Sequence, residues 1–222
     1  MKTYILLMAC FFAAFSGTTL AASINIISQT HHVWGWITTP HSVRSYDYTD
    51  DISINENAEL WNSISESSAG DFQVSAYTFA AAETGPGISA SAESYYNFTP
   101  ITTSLTLNIS GYISPWAHVA HFELTDLTDR NTVLVHYYLS EPYPNGVEIN
   151  WDQDFQVDPS HQYRLWMYVS GLQITQIDYD KFANAELNAV FTPELGTMVM
   201  FSLGVGLMRK FRAKHVKCKT KR

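Results

Sequence analysis

The side chains most capable of metal or acid–base chemistry occur in short clusters. His118 and His121 are followed by Glu123, and imidazole and carboxylate groups are common ligands of zinc. Residues three apart on an alternating strand point to opposite faces, so the two imidazoles are expected to diverge. The adjacent pair His31 and His32 has the same difficulty. We therefore expect these histidines to be structural or surface residues.

The most enzyme-like carboxylates lie in residues 148–152 (EINWD). On a strand, Glu148, Asn150 and Asp152 would point to one face, and the segment looks like the Glu-Ile-Asp-x-x-Glu catalytic strand of jelly-roll β-glucanases. Retaining hydrolysis needs two carboxyl groups about 5 to 5.5 Å apart, whereas the Cα atoms of residues four apart on an extended strand are separated by about 13 Å. We therefore predict no catalytic residues and no enzyme, with a β-glucanase-like glycoside hydrolase as a distant alternative.

Three aspartates are candidates for cation binding. Asp152, Asp154 and Asp158 offer oxygen ligands near the end of a strand, and such hard oxygens are what Ca²⁺ prefers. Jelly-roll carbohydrate-binding modules often hold a structural calcium in this kind of position. Solvated acidic loops are the favoured interpretation, so the sequence predicts no cofactor, with structural calcium at these three aspartates as the alternative.

Aromatic residues on two strands are candidates for sugar binding. Trp34 and Trp36 share one face of a strand, and Trp166 shares a face of another strand with Tyr168. Aromatic rings present apolar faces against which sugar rings stack. Packing in the core is the favoured role of such pairs, and glycan stacking by Trp34, Trp36 and Trp166 is the alternative.

The segments that must hold these residues have the two-residue period of half-buried strands. In residues 105–110, Leu105, Leu107 and Ile109 alternate with polar residues. Further segments with this pattern are residues 24–37, 72–80, 88–93, 118–127, 132–139, 146–155, 163–169 and 184–191. About nine or ten strands separated by turns that contain Pro and Gly predict an all-β fold, a single antiparallel β-sandwich with a jelly-roll-like topology.

Two segments depart from the strand pattern. Residues 53–56 (SINE) resemble a capping box, so a short helix is expected to begin there. Residues 62–71 (NSISESSAGD) are rich in serine and are expected to form a surface loop.

Cysteine and charge usage agree with an exported domain. The two cysteines, Cys10 and Cys218, lie outside residues 22–191, so this predicted ectodomain has no internal disulfide. Residues 22–194 contain four basic residues against all 21 acidic ones, a formal charge of −17 that the net charge of −8 conceals. Such an acidic domain repels nucleic acid, which we exclude as a partner.

Residues 1–21 have the parts of a secretory signal peptide. Lys2 supplies a positive charge, residues 4–15 are apolar, and Ala21 and Ala22 are small residues suited to cleavage. Cleavage is expected after Ala21, with Ala22 as the alternative. The mature protein is then exported.

Residues 192–222 combine a helix start, an apolar run and a basic tail. Thr192 and Pro193 favour the first turn of a helix. Residues 195–208 (LGTMVMFSLGVGLM) carry no charge, and a helix of this length reaches about 21 Å of the roughly 30 Å hydrocarbon core. Residues 209–222 hold eight of the thirteen Lys and Arg residues, which keeps this end cytoplasmic.

The two ends together resemble the PEP-CTERM proteins of Gram-negative bacteria, which are handled by an exosortase. Pro193 and Glu194 fit the first two positions of the Pro-Glu-Pro signature, and Leu195 stands in place of the second proline. The basic cluster after the apolar run comprises Arg209, Lys210, Arg212 and Lys214. The resemblance implies export, an exosortase-type sorting enzyme as partner, at least transient insertion of the C-terminal helix in the inner membrane, and association with exopolysaccharide or a biofilm matrix.

The sequence therefore predicts an exported bacterial cell-surface or extracellular-matrix protein, a noncatalytic structural or adhesion component. A carbohydrate-binding module of an exopolysaccharide matrix is the alternative function. The C-terminal segment fits a cleaved sorting signal better than a lasting membrane anchor, because its apolar run is short for a permanent span.

Overall fold

The computed structural model describes residues 24–39, 41–50, 54–60, 63–80, 87–115, 117–140, 145–173 and 181–193. Within these ranges all regular structure is β-strand, and no helix occurs. The strands are β1 (Ile24–Thr39), β2 (Ser42–Asp50), β3 (Ile54–Leu60), β4 (Ser63–Gly70), β5 (Gln73–Ala80), β6 (Gly87–Pro100), β7 (Ser104–Ile113), β8 (Val119–Asp126), β9 (Thr132–Leu139), β10 (Val147–Gln156), β11 (Tyr163–Gln173) and β12 (Lys181–Pro193). The prediction of an all-β fold is confirmed.

The strands form two six-stranded antiparallel sheets. Sheet I has the order β2-β1-β6-β11-β8-β9, and sheet II has the order β10-β7-β12-β5-β4-β3. The sheets pack face to face around a large hydrophobic core to which both contribute. The structure is thus a β-sandwich, as the alternating pattern predicts.

The core consists of the inward-facing residues of both sheets. In β11, Leu165, Met167 and Val169 are fully buried, whereas the residues between them are partly exposed. Other large and fully buried side chains are Ile37, Ile88, Tyr96, Phe98, Leu105, Leu107, Ile109, Ile113, Phe122 and Leu124. Burial of each such side chain contributes about 1.5–3 kcal/mol. This inner layer therefore determines which residues of each strand face outward.

The sequence predicts a helix and a loop where the structure has the antiparallel strands β3 and β4. Both predictions are wrong, and two serines of β4, Ser65 and Ser67, are buried with a hydroxyl partner. The Oγ atoms of Ser65 and Ser67 lie 3.2 and 2.8 Å from the Tyr46 hydroxyl. Gly35 permits this close approach of the sheets, since a Cβ atom there would lie 2.5 Å from both Ser65 Oγ and Tyr46 Oη.

The predicted helix start at Thr192 is also wrong. Strand β12 continues through Thr192 and Pro193, which pair with Thr106 and Leu105 of β7. Pairing with residues 105–113 of β7 outweighs the local helix-start signal, since tertiary context routinely overrides propensity.

Several predictions fall outside the described residues. They concern the signal peptide of residues 1–21, Glu194 and Leu195 of the sorting motif, the apolar helix of residues 195–208 and the basic tail of residues 209–222. In the described part of the chain, no helix has the length and apolar character needed to cross a membrane.

Candidate functional site

The outward-facing surface of sheet I carries a group of aromatic, acidic and imidazole side chains. We call this group the aromatic face, and its members are His32, Trp34 and Trp36 of β1, Glu93 and Tyr95 of β6, and Trp166 and Tyr168 of β11. All of them are at least partly exposed. The fold therefore unites on one surface the two aromatic pairs that the sequence suggests for sugar stacking.

Small residues on the central strands explain how the aromatic residues of β1 and β11 meet. Strand β6 lies between β1 and β11, and Ser91 of β6 pairs with Trp34 on one side and with Ser170 on the other. Both serines are buried, and their hydroxyl groups are hydrogen-bonded at 3.1 Å. The Trp34 ring therefore reaches Tyr168, with ring centroids 5.9 Å apart and planes inclined by 12°.

Glu93 is the polar centre of the aromatic face. Its Oε2 atom accepts hydrogen bonds from the Tyr95 hydroxyl at 3.1 Å and from the Trp166 indole N–H at 3.3 Å. Its Oε1 atom lies 3.2 Å from His32 Nδ1. These contacts accompany a parallel stack of Tyr95 and Trp166, whose ring centroids are 5.7 Å apart and whose planes are inclined by 5°. The Glu93 side chain is 19% exposed and remains accessible to a ligand.

His32 connects the aromatic face to the edge strand β2. Its Nε2 atom lies 2.9 Å from the Asp47 carboxylate, and its ring stacks on Trp34 with centroids 4.3 Å apart. Because the imidazole is held between the carboxylates of Asp47 and Glu93, it gives Trp34 a fixed surface to pack against.

The acid–base state of Tyr95 follows from the same contacts. Burial and the neighbouring Glu93 carboxylate raise the pKa of Tyr95 to about 12, although the positive charge of Arg164 acts in the opposite direction. The Arg164 guanidinium carbon lies 5.8 Å from the centroid of the Tyr95 ring. Tyr95 is therefore a neutral hydrogen-bond donor over the physiological pH range.

Three further side chains meet beside the aromatic face, and we call them the imidazole–carboxylate cluster. His121 and Glu123 lie two apart on β8, and His136 faces Glu123 across the β8–β9 pair. The Nδ1 atom of His136 lies 3.4 Å from His121 Nε2 and 3.3 Å from Glu123 Oε2. Within the described residues, this cluster brings three donor atoms within 4.8 Å of one another.

The sequence pattern suggests His118 as the partner of His121 and gives no sign of His136. His118 precedes β8 and is exposed. Counting back along both strands from the pair Asp126 and Thr132 would place Val135 opposite Glu123. A register shift between Leu124 and Thr125 instead brings His136 to that position. This β-bulge places His136 opposite Glu123 and so forms the cluster, and no sequence pattern predicts the bulge.

Neighbouring groups restrain the cluster. The His121 ring packs edge-on against Trp166, with centroids 4.3 Å apart, and the Thr125 hydroxyl donates to Glu123 Oε1 at 2.8 Å. Burial lowers the pKa of His121, and the adjacent His136 lowers it further, while Glu123 acts in the opposite direction. The neutral form of His121 is therefore favoured, and a neutral imidazole has one nitrogen with a free lone pair.

The carboxylates considered for hydrolysis lie on the opposite side of the sandwich. Glu148, Asn150 and Asp152 are exposed on β10, the edge strand of sheet II, and Ile149 between them is buried. Charged residues on an edge strand discourage pairing with other chains. Protection of the sheet edge is a role that fits Glu148 and Asp152.

The three candidate calcium ligands occupy two different settings. Asp152 and Asp154 lie on β10, where Asp154 accepts a hydrogen bond from the Thr106 hydroxyl at 2.6 Å. Asp158 lies beyond the strand and accepts hydrogen bonds from the N–H and hydroxyl groups of Ser160 at 2.8 and 2.7 Å. Each of these two aspartates therefore has a local hydrogen-bond partner, and structural calcium stays the alternative interpretation.

Comparisons with known proteins reveal only distant likeness. No family model matches the chain, and no curated protein matches it significantly. The enzymatically active domain of bacteriophage CBA120 tailspike protein 4 aligns with 72% of this chain and 19% of its own, at 10% identity and a TM-score of 0.30. The GH31 α-xylosidase Xac1773 from Xanthomonas citri aligns with 76% of this chain and 18% of its own, at 6% identity and a TM-score of 0.28.

A viral protein gives a similar result. The VP2 subviral particle of infectious bursal disease virus aligns with 79% of this chain and 59% of its own, at 10% identity and a TM-score of 0.27. This chain thus spans less than two thirds of each of these three structures. Likeness at this level carries no functional information.

Proposed function

We propose that this chain is a noncatalytic adhesion protein that binds polysaccharide through the aromatic face of sheet I. One observation carries the proposal: two stacked aromatic pairs adjoin the partly exposed Glu93 on a single open surface. Sugar rings present apolar C–H faces together with hydroxyl groups. A surface that binds them therefore combines aromatic rings with a few placed polar groups.

The shape of the aromatic face favours an extended glycan over an enclosed small molecule. Its residues lie on the adjacent strands β1, β6 and β11, which together extend about 10 Å across the sheet. Further aromatic area is supplied by Trp36, which is 37% exposed. Glu93 would accept hydrogen bonds from sugar hydroxyl groups, while the rings on either side stack on the sugar faces.

A panel of bacterial and plant polysaccharides tests this function in the presence of calcium and of a chelator. We expect Trp34→Ala and Trp166→Ala to weaken binding at least about tenfold, which corresponds to about 1.4 kcal/mol. Tyr112→Ala is the control, because Tyr112 is an aromatic residue that is 37% exposed but lies on β7 of sheet II. Its binding should equal that of the unmodified protein.

The outcomes separate the alternatives. If no polysaccharide binds, or if the Trp34 and Trp166 variants bind as well as the Tyr112 variant, the adhesion protein has a purely structural role. If binding requires calcium, the prediction for Asp152, Asp154 and Asp158 gains support. Release of reducing sugar that disappears in Glu148→Gln would overturn the noncatalytic assignment in favour of a glycoside hydrolase.

We further infer a jelly-roll topology for strands β5 to β12. The inference rests on their order, which is β5-β12-β7-β10 in one sheet and β6-β11-β8-β9 in the other. Eight strands distributed in this way correspond to the two Greek keys of a jelly roll. Strands β1 and β2 then extend sheet I, and β3 and β4 extend sheet II.

We also propose export and sorting of the protein to the cell envelope or the extracellular matrix. The proposal is supported by the signal-peptide pattern of residues 1–21 and by Pro193, Glu194 and Leu195 ahead of an apolar run and a basic cluster. An exosortase-type enzyme is the expected partner. In fractionated cells that express a C-terminally tagged protein, loss of the tag from the exported product would support processing. Full-length tagged protein that persists in the inner membrane would contradict it.

A further inference from the structure

We propose that His121, Glu123 and His136 bind a divalent transition-metal ion, such as Zn²⁺, and leave one coordination position open to water or to a ligand. Two imidazole nitrogens and one carboxylate oxygen form a common donor set of zinc sites with an exchangeable fourth position. The inference goes beyond polysaccharide binding, since it needs no sugar and is tested with the metal alone.

Two of the three distances between donor atoms match those that a tetrahedral site requires, and all three donors lie within 4.8 Å of one another. Zinc lies about 2.0–2.2 Å from nitrogen and oxygen ligands, so neighbouring donor atoms of a tetrahedron are about 3.3–3.5 Å apart. The distance from His136 Nδ1 to His121 Nε2 is 3.4 Å, and the distance from His136 Nδ1 to Glu123 Oε2 is 3.3 Å. Small side-chain rotations suffice to place all three donors around one ion.

The backbone and the surrounding side chains support this arrangement. His121 and Glu123 lie on the same strand face, and the bulge in the β8–β9 pair sets His136 opposite Glu123. The Thr125 hydroxyl engages Oε1 of Glu123, which leaves Oε2 directed at His136. Hydrogen bonds of this kind orient metal ligands and tune their affinity.

The choice of metal follows from the donor atoms. Imidazole suits zinc, copper and nickel, whereas calcium and magnesium prefer oxygen donors throughout. The site is half open, since the His136 side chain is 55% exposed and that of Glu123 is 26% exposed. A metal ion in this position is reached from solvent and borders Trp166 of the aromatic face.

Titration of the full-length, chelator-treated protein with Zn²⁺ tests the proposal, with the number of bound equivalents measured by calorimetry. The chain also contains His215 and Cys218, so the decisive quantity is the difference between variants. We expect His136→Ala to bind one equivalent fewer than the unmodified protein. His118→Ala, which removes an exposed histidine three residues from His121, should bind the full number.

Further variants keep the test decisive. Thr125→Val should retain the site but weaken zinc affinity by about tenfold, as expected for loss of a supporting hydrogen bond. Co²⁺ should give the visible absorption of a tetrahedral site in the unmodified protein, and this absorption should be lost in Glu123→Gln. Circular dichroism of each variant establishes that it is folded.

The proposal is overturned if the His136→Ala and His118→Ala proteins bind the same number of equivalents, or if the unmodified protein binds no Zn²⁺. The cluster is then a hydrogen-bonded group without a metal. Failure of polysaccharide binding would leave the zinc result unaffected, and the reverse also holds, so the two proposals fail separately.

Discussion

The two outer faces of the sandwich differ in chemistry although both belong to six-stranded antiparallel sheets. On sheet I, two stacked aromatic pairs adjoin Glu93. On sheet II, the described outward residues near the centre are mainly amides, hydroxyls and carboxylates, such as Asn108, Asn188 and Glu186. Equal architecture therefore does not imply equal use of the two surfaces.

The difference lies in what the carboxylates hold. Glu93 accepts hydrogen bonds from Tyr95 and Trp166, whose rings it keeps in place. Glu186 accepts hydrogen bonds from the side-chain amides of Gln73 and Asn188, at 3.2 and 2.8 Å. The hydrogen bond from Gln73 is exposed and the one from Asn188 is partly buried, and water replaces an exposed hydrogen bond at little cost. The face of sheet I is therefore preorganised, whereas that of sheet II is a solvated surface.

The largest expected effect on stability comes from removing the Glu93 carboxylate, and removal of the Glu186 carboxylate is the comparison. Glu93→Ala should lower the free energy of unfolding by about 2–3 kcal/mol, because it leaves the Trp166 N–H and the Tyr95 hydroxyl without their acceptor. Glu186→Ala should cost no more than about 1 kcal/mol. Denaturant unfolding of both variants measures the difference. Equal losses would show that the two faces are held in the same way.

The division between the faces could be predicted in part from the sequence. The alternation of β7 and β11 identifies their inward residues, and β9 was predicted with its observed bounds, Thr132–Leu139. Strand β2 was not predicted because it lacks an alternating apolar pattern. Among its residues with a described side chain, Tyr46 alone is buried. Strand β4 was missed because its buried positions hold small residues, namely Ser65, Ser67, Ala69 and Gly70. A period-two search depends on apolar side chains that these strands lack.

The candidate sites depended on long-range pairing that no local pattern contains. The tryptophans could be selected from the sequence, but the stacking of Trp34 on Tyr168 depends on β6 lying between β1 and β11. Likewise, the contact between Glu123 and His136 depends on one bulge. The sequence therefore predicts which residue types could form a site, whereas strand order and register determine which of these residues come into contact.

The two sheets also differ in histidine–carboxylate pairs, since no strand of sheet II contains a histidine. Near sheet I, His161 Nδ1 lies 2.8 Å from Asp126 Oδ2. This hydrogen bond raises the pKa of His161 above 6.5. Burial favours the protonated acid of Asp126, but hydrogen bonds from His161 and from the N–H groups of Asp129 and Thr128 lower its pKa below 3.8.

The second prediction concerns the pH range in which this pair stabilises the fold. The contribution of His161 is complete below pH 6.5 and is lost as the pH rises through its raised pKa. That of Asp126 is present above pH 3.8 and is lost as the pH falls through its lowered pKa. The difference in thermal midpoint between the unmodified protein and His161→Gln should therefore be largest between these limits.

The variant comparison isolates His161 from His121, whose lowered pKa acts in the opposite direction and destabilises the fold on acidification below pH 6.5. We expect an effect smaller than that of Glu93→Ala, because the His161 side chain is 30% exposed and exposed ion pairs contribute little. A difference that does not change between acidic and alkaline pH would refute the assignment.

The smallest effect on stability is expected at the edge strand β10 of sheet II. Replacing both Asp152 and Asp154 with asparagine should change the free energy of unfolding by no more than about 0.5 kcal/mol, because both side chains are exposed. The variant should nevertheless aggregate faster in light-scattering measurements, since charge on an edge strand prevents pairing with other chains. Asn150→Asp adds charge on the same face and should slow aggregation.

Calcium decides between the two roles of these aspartates. If they serve only to protect the edge of sheet II, added Ca²⁺ leaves the thermal midpoint of the unmodified protein and of the double variant unchanged. If Ca²⁺ raises the midpoint of the unmodified protein alone, Asp152 and Asp154 are ligands, and sheet II has a binding site of its own. The contrast would then be one between a carboxylate that orients aromatic rings, Glu93, and carboxylates that hold an ion.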